Sequence, residues 1–209
     1  MSARRANIAV FVSGGGTNLQ ALIAAGRDGV ITSGEIRLVI ASRPDAYALT
    51  RAQDAGIDAY AIGKADFPDS PDRQQEIEAA IEKKLDEYGI DLIVLAGYLS
   101  ILSAEFTARW DHRIINIHPS LIPAFCGQGF YGLRVHEAAL SYGVKVTGAT
   151  AHFVNEIPDG GEIILQKAVE VQEDDTPETL QRRVMEEAEW IILPRAVEQV
   201  AAALIKENK

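Results

Sequence analysis

Five short apolar runs recur along the first 118 residues, and each interval between them has a helical pattern. The runs are "NIAVFVS", "EIRLVIAS", "IDAYAIG", "IDLIVLAG" and "RIINIH". The intervals carry "TNLQALIAAGRDG", "DAYALTRAQDAG", "SPDRQQEIEAAIEKKLDEYG" and "SAEFTARW". Runs this apolar belong to strands buried on both faces. The third interval is amphipathic, opened by Ser70-Pro71 and stopped by Gly89. Such strands alternating with helices predict an α/β fold: a Rossmann-like, open, mostly parallel twisted sheet with helices on both faces.

The alternation stops at Pro119. "PSLIPAFCGQGFYGLR" is a long irregular stretch rich in Pro, Gly and aromatics, and such loops inside compact domains are usually functional. The helix "VHEAALSYG" follows. "VTGATAHFVN" and "EIILQKAVEV" then have strand character around the turn "NEIPDGG", which predicts a mixed or antiparallel C-terminal edge to the sheet. From Thr176 a helical stretch runs to the terminus, kinked or divided by Pro194. With no repeat, low-complexity tract or linker, the chain forms one domain over residues 1–209, with halves 1–100 and 101–209.

At 47% hydrophobic residues there is ample material for a packed core. No apolar run approaches the ~18 residues of a membrane span. Lys and Arg number 20 against 30 Asp and Glu, a formal charge of −10. Nucleic-acid binding relies on neutralising phosphates, so this balance argues against it, while a small anion held by local groups stays compatible. The start, "MSARRANIAVFVSGGG", is basic and then apolar like a leader peptide. Its apolar part is short, lacks an A-x-A site and runs into glycines, so it is taken as a first strand. The single Cys126 excludes an intrachain disulfide and fits a reducing cytoplasm.

"SGGGTNL" follows the first strand and opens a helix. Backbone N–H groups at a helix N-terminus bind anions, and glycines let a ligand come close. A dinucleotide fingerprint needs a third glycine where Leu19 stands, and the second strand ends in "ASR" rather than an acidic residue for a ribose. A Walker motif needs a lysine that is missing. The loop is therefore either a phosphomonoester site or a plain strand–helix turn.

In "INIHPSLIP", Asn116 and His118 interrupt an apolar run. Two residues apart, they share the strand face of Ile114, with Ile115 and Ile117 on the other. Pro119 ends the strand, so both stand at a carboxyl-end mouth, where ligands bind in open α/β sheets. Either His118 is a structural cap, or histidine and amide together stabilise an oxyanion in acyl transfer. Asp159 offers a partner whose charge would raise the pKa of His118 and favour its charged form. Asp159-Gly160 equally suits a simple turn. His112, His118, His136 and His152 lack zinc-ligand spacing. Ser13 and Ser120 lie outside a nucleophile elbow. Cys126 suits a packed or exposed thiol better than a nucleophile, and His152 in "TAHFV" a supporting or core role.

Together, "NIAVFVSGGGTNLQ", "LAGYLSILS", "IINIHPSLIPAF" and "GATAHFVNEIPDGGEIILQ" resemble the phosphoribosylglycinamide formyltransferases, folate-dependent enzymes of purine synthesis, over nearly the whole chain. "HPSL-P" with the downstream "D-GG" is shared by enzymes acting with 10-formyltetrahydrofolate, and "SG-GTNLQ" resembles the loop that holds the substrate's phosphate. The resemblance implies formyl transfer from 10-formyltetrahydrofolate, the co-substrate, to the amine of glycinamide ribonucleotide in de novo purine (IMP) biosynthesis. It also implies no metal, no nucleic-acid or membrane partner, and a cytoplasmic monomer or homodimer. By position, Asn116, His118 and Asp159 resemble the catalytic trio. Gly16, Thr17 and Asn18 resemble the phosphate-contacting stretch of the N-terminal half. Glu189, with Glu186 and Glu187 close by, matches a carboxylate near the glycinamide amine. Leu99, Ser100, Ile101 and Leu102, with Asn116, match the folate border, and the Val154–Asp159 loop the pteridine side. Arg73 is the nearest match to an arginine that contacts folate or phosphate. Ser100 stands where a well-known version has an arginine, and the loop from Ala124 to His136 is longer than in that version. Formyltetrahydrofolate hydrolase and methionyl-tRNA formyltransferase share the histidine segment; the first usually adds an N-terminal domain, the second a C-terminal domain and a basic surface. A non-catalytic phosphosugar-binding module would use the glycine loop alone.

Overall fold

The computed structural model describes residues 4–207. Seven strands form one sheet in the order β3-β2-β1-β4-β5-β6-β7. β1 (Ala6–Val12), β2 (Gly34–Ala41), β3 (Asp58–Ala61), β4 (Leu92–Leu95) and β5 (Ile114–His118) pair in parallel. β6 (Val146–Phe153) and β7 (Ile163–Glu170) add antiparallel to β5 and to each other. The helices are α1 (Thr17–Arg27), α2 (Ala48–Asp54), α3 (Arg73–Glu87), α4 (Ala104–Arg109), α5 (Leu133–Tyr142), α6 (Pro177–Val184) and α7 (Trp190–Glu207).

Strand parity sorts the core into two layers. Ile8, Val10 and Val12 of β1 pack with Leu22 of α1, Ala52 of α2, Leu180 of α6 and Val197 of α7. Ala9 and Phe11 pack instead with Ile77, Ile81 and Leu85 of α3 and Phe106 of α4. Helices thus contribute to both layers, and burial of these side chains, worth about 25 cal/mol per Å² of apolar surface, is the main stabilising term. On β5, Ile115 and Ile117 join the first layer and Ile114 the second. Asn116 and His118 therefore share the Ile114 face.

The C-terminal helical stretch differs from the sequence expectation at one point. Pro194 lies inside α7 and does not divide it; the irregular turn comes earlier, where Met185–Glu189 winds as a π-helix. A proline has no N–H to give and crowds the carbonyl four residues before it, here Trp190. The wider turn sits directly ahead of that position, and such π segments often mark functional sites. Of the leader-like start, Met1–Ala3 lie outside the described residues, as do Asn208 and Lys209 at the other end. No helix among the described residues is long and apolar enough to cross a membrane.

Candidate active site

The glycine loop, the segment Leu99–Leu102 and the pair Asn116 and His118 lie at the carboxyl ends of β1, β4 and β5, three consecutive strands of the sheet. The Ser13 hydroxyl, just ahead of the glycines, accepts from the Leu99 N–H at 2.9 Å. From the other side, Glu78 of α3 accepts from the Ser103 N–H at 2.7 Å and hydroxyl at 2.5 Å, and Gln74 donates to the Ile101 carbonyl at 3.0 Å. The segment Leu99–Leu102 is thereby pinned at both ends. Between it and the Val154–Asp159 loop lies a cavity of about 140 Å³, lined by Ser100, Ile101 and Leu102 together with Tyr98, Asn116 and His152. Leu99 turns outward, 65% exposed, and is not part of that lining.

Antiparallel pairing of β5 and β6 sets Asn116 opposite His152. The Nδ1 of His152 lies 2.7 Å from the Phe153 carbonyl, which can only accept, so the ring proton is there. Its Nε2 then accepts from the Asn116 amide at 3.1 Å. Asp159 comes from the β6–β7 turn with φ 56°. The chain closes tightly behind it, because a Cβ on Gly161 would fall 1.8 Å from the Phe153 carbonyl oxygen. Asp159 Oδ2 reaches to 3.4 Å from His118 Nδ1, and Oδ1 to 3.5 Å from the Asn116 amide nitrogen. The residue is both a turn former and a partner.

The long loop after β5 folds over this group. His118 Nε2 donates to the Phe125 carbonyl at 2.9 Å, and the Gly127 N–H donates to Asp159 Oδ2 at 2.8 Å. Phe125 takes a left-handed φ of 48° to present that carbonyl. Thr150, opposite His118 on β6, ties the loop down: it accepts from the Ile122 N–H at 3.1 Å and donates to the Ser120 carbonyl at 2.7 Å.

Burial corrects the expectation that Asp159 keeps His118 charged. Only 4% of His118 is exposed, and desolvation pulls its pKa below the ordinary 6.5, against the opposing pushes of Asp159 and the Phe125 carbonyl. At neutral pH the ring holds one proton, on Nε2, where the carbonyl requires it. Asp159 behaves oppositely: burial would raise it, but His152, His118 and the Gly127 N–H together leave it below the usual carboxylate range.

On the other flank, Gly16 precedes α1 with φ 72°. Thr17 begins the helix and Asn18 is buried within its first turn. The Asn18 amide donates to Glu189 at 2.6 Å. Of the three neighbouring glutamates, Glu189 is the buried one, and desolvation pushes its carboxyl up to about 7. Arg73 is not brought to the cavity; its guanidinium donates to the carbonyls of Phe67 and Pro68 in its own preceding loop. Among the described residues no three His, Cys, Asp or Glu side chains form a metal-ligand set.

Residues 6–197 match the family model described as formyl transferase. This chain belongs to the formyl transferase family. Among solved structures, this formyl transferase is similar to glycinamide ribonucleotide transformylase 1 from Symbiobacterium toebii, with 44% identity, a TM-score of 0.85, and coverage of 95% of this chain and 89% of the other. It is 40% identical over 190 residues to phosphoribosylglycinamide formyltransferase from Haemophilus influenzae, covering 91% of this chain and 84% of that one. It is also 41% identical over 203 residues to the human trifunctional purine biosynthetic protein adenosine-3, covering 97% of this chain but 19% of the relative's length.

His152 takes the supporting role expected of it, buried and bonded to the Asn116 amide; what the sequence left unnamed is Asn116 as the residue it supports. The signal was the polar alternation of "TAHFV", which, with β6 antiparallel to β5, pairs His152 with Asn116.

Proposed function

We propose that this formyl transferase moves the formyl group of 10-formyltetrahydrofolate to the amine of 5′-phosphoribosylglycinamide, giving formylglycinamide ribonucleotide and tetrahydrofolate, in the cytoplasm and as a monomer or homodimer. The observation that carries the reading is that Asn116 and Asp159 line one apolar cavity, with His118 3.4 Å from Asp159, and that a glycine loop follows β1, one strand removed from β5 across β4. The cavity walls, Ile101 and Leu102 against Val154 and Ile157, suit the flat face of a pteridine. Gly16, Thr17 and Asn18 suit the phosphate, and Glu189 the amine.

In the reaction, the amine nitrogen bonds to the formyl carbon, and negative charge grows on the formyl oxygen. The Asn116 amide, aimed by His152, and the Nε2–H of His118 donate to that oxygen. For His118 to do so, the formyl oxygen takes the place of the Phe125 carbonyl. Growing negative charge beside the ring then favours the imidazolium, with Asp159 ready on the Nδ1 side. The C–N bond to the folate breaks, and the proton lost by the amine passes to the departing folate nitrogen through water held by ionised Asp159.

Folate absorbance tests the assignment. It should change only when both substrates are present. A change with the formyl donor alone would favour a hydrolase, and no change with either would favour a binding module.

A further inference from the structure

The glycine loop is held from behind by α2. A Cβ on Gly16 would lie 2.7 Å from the Cβ of Ala48, so helix and loop are in direct contact. Two bonds join them: the Ala48 N–H donates to the Gly14 carbonyl at 3.1 Å, and Arg51 Nε donates to the Gly15 carbonyl at 2.8 Å. In a trans peptide the C=O and the following N–H point in opposite directions. With the carbonyls of Gly14 and Gly15 turned toward α2, the N–H groups of Gly15 and Gly16 are turned away from it, to the open side of the loop. Among the described residues nothing accepts from the N–H of Gly15, Gly16 or Thr17. Next to them, Asn18 is 8% exposed and leaves its Oδ1 without a partner.

Arg51 is fixed by three contacts. Besides Gly15 it donates through Nη1 to Gln20 of α1 at 3.1 Å, and its guanidinium lies 5.1 Å from the Tyr47 ring centroid. No carboxylate among the described residues stands within ion-pair distance of it. A permanent positive charge is therefore clamped behind an outward-facing row of amides, in a chain of net charge −10.

We infer that Arg51 is the positioning residue of the phosphate site. It holds the Gly15–Gly16 peptide so that its N–H faces the phosphate, and it adds an uncompensated charge behind the loop, without touching the phosphate itself. The inference rests on the glycine loop binding the phosphate of the ribonucleotide.

The test compares wild type, Arg51→Gln and Arg51→Lys with 5′-phosphoribosylglycinamide and with its dephosphorylated riboside, using inorganic phosphate as a competitor. Arg51→Gln should raise KM for the ribonucleotide about tenfold, the size of one charge-assisted contact. The Ki for inorganic phosphate should rise in step. The kcat, the KM for the formyl donor and turnover of the riboside should stay near wild type, which also shows that the variant folds. Arg51→Lys keeps the charge but not the guanidinium fork, and should recover part of the loss. If wild type treats ribonucleotide and riboside alike, the phosphate reading of the loop fails and this inference with it. If wild type prefers the ribonucleotide and Arg51→Gln prefers it as strongly, or loses both substrates equally, only the role of Arg51 is overturned.

Discussion

His118 Nδ1 and Asp159 Oδ2 stand 3.4 Å apart, yet the proton of the ring faces the other way, toward the Phe125 carbonyl. Asp159 therefore does not hold a permanent imidazolium; it waits beside a neutral ring. Replacing it with asparagine removes the charge that raises His118, so the histidine should titrate at still lower pH by NMR of its ring protons. The pH–rate profile should lose the acidic limb that ionised Asp159 imposes. An unchanged ring titration and an unchanged profile would remove Asp159 as the partner.

The same contact makes the loop a reporter. Cys126 lies between Phe125 and Gly127, the two residues that bond His118 and Asp159. Its Sγ is 3.3 Å from the Pro123 carbonyl, and burial followed by the Asp159 charge pushes the thiol pKa up, which slows alkylation. If the formyl oxygen displaces the Phe125 carbonyl, labelling of Cys126 should speed up when a non-transferable formyl-folate analogue binds. A rate indifferent to the analogue would mean that the loop keeps its hold on His118.

Two buried groups should pull stability in opposite directions with pH. His136 is fully buried and pushed down to about 4 by desolvation, with neighbouring His118 acting in the same direction. Its contribution is present above the ordinary 6.5 and is lost as pH falls toward 4, about 3 kcal/mol by linkage. Glu189, raised to about 7, contributes fully below 4.5 and loses a similar amount as pH rises through 7. The two offset each other between roughly pH 4.5 and 6.5. Urea unfolding should show Glu189→Gln losing stability toward acid and His136→Gln losing it toward neutral pH. Parallel pH profiles for the two variants would contradict the assignment.

Much of the fold was legible because strand parity and helix periodicity are local. The run "IINIH" alone placed Asn116 and His118 on one face at a strand end. What stayed hidden depends on pieces far apart in the chain. The charge state of His118 is set by a loop without periodicity that removes it from water. The service of His152 to Asn116 follows from the β5–β6 register, which no local pattern encodes. Arg73 matched a ligand-contacting arginine by position, but its guanidinium is taken by the Phe67 and Pro68 carbonyls of its own loop. Glu189, matched by position with Glu186 and Glu187 close by, is the one of the three that the π turn directs at Asn18, a contact between distant parts of the chain.

Single-turnover transfer by wild type and by Asn116→Ala, measured side by side, shows whether the Asn116 amide stabilises the formyl oxygen. Both would be mixed with 10-formyltetrahydrofolate and 5′-phosphoribosylglycinamide, and the formylated ribonucleotide followed. The variant should fold and bind inorganic phosphate as wild type does, yet form product about 10²–10³-fold more slowly, the usual effect of losing one oxyanion donor. Product formed by Asn116→Ala at the wild-type rate would contradict the account.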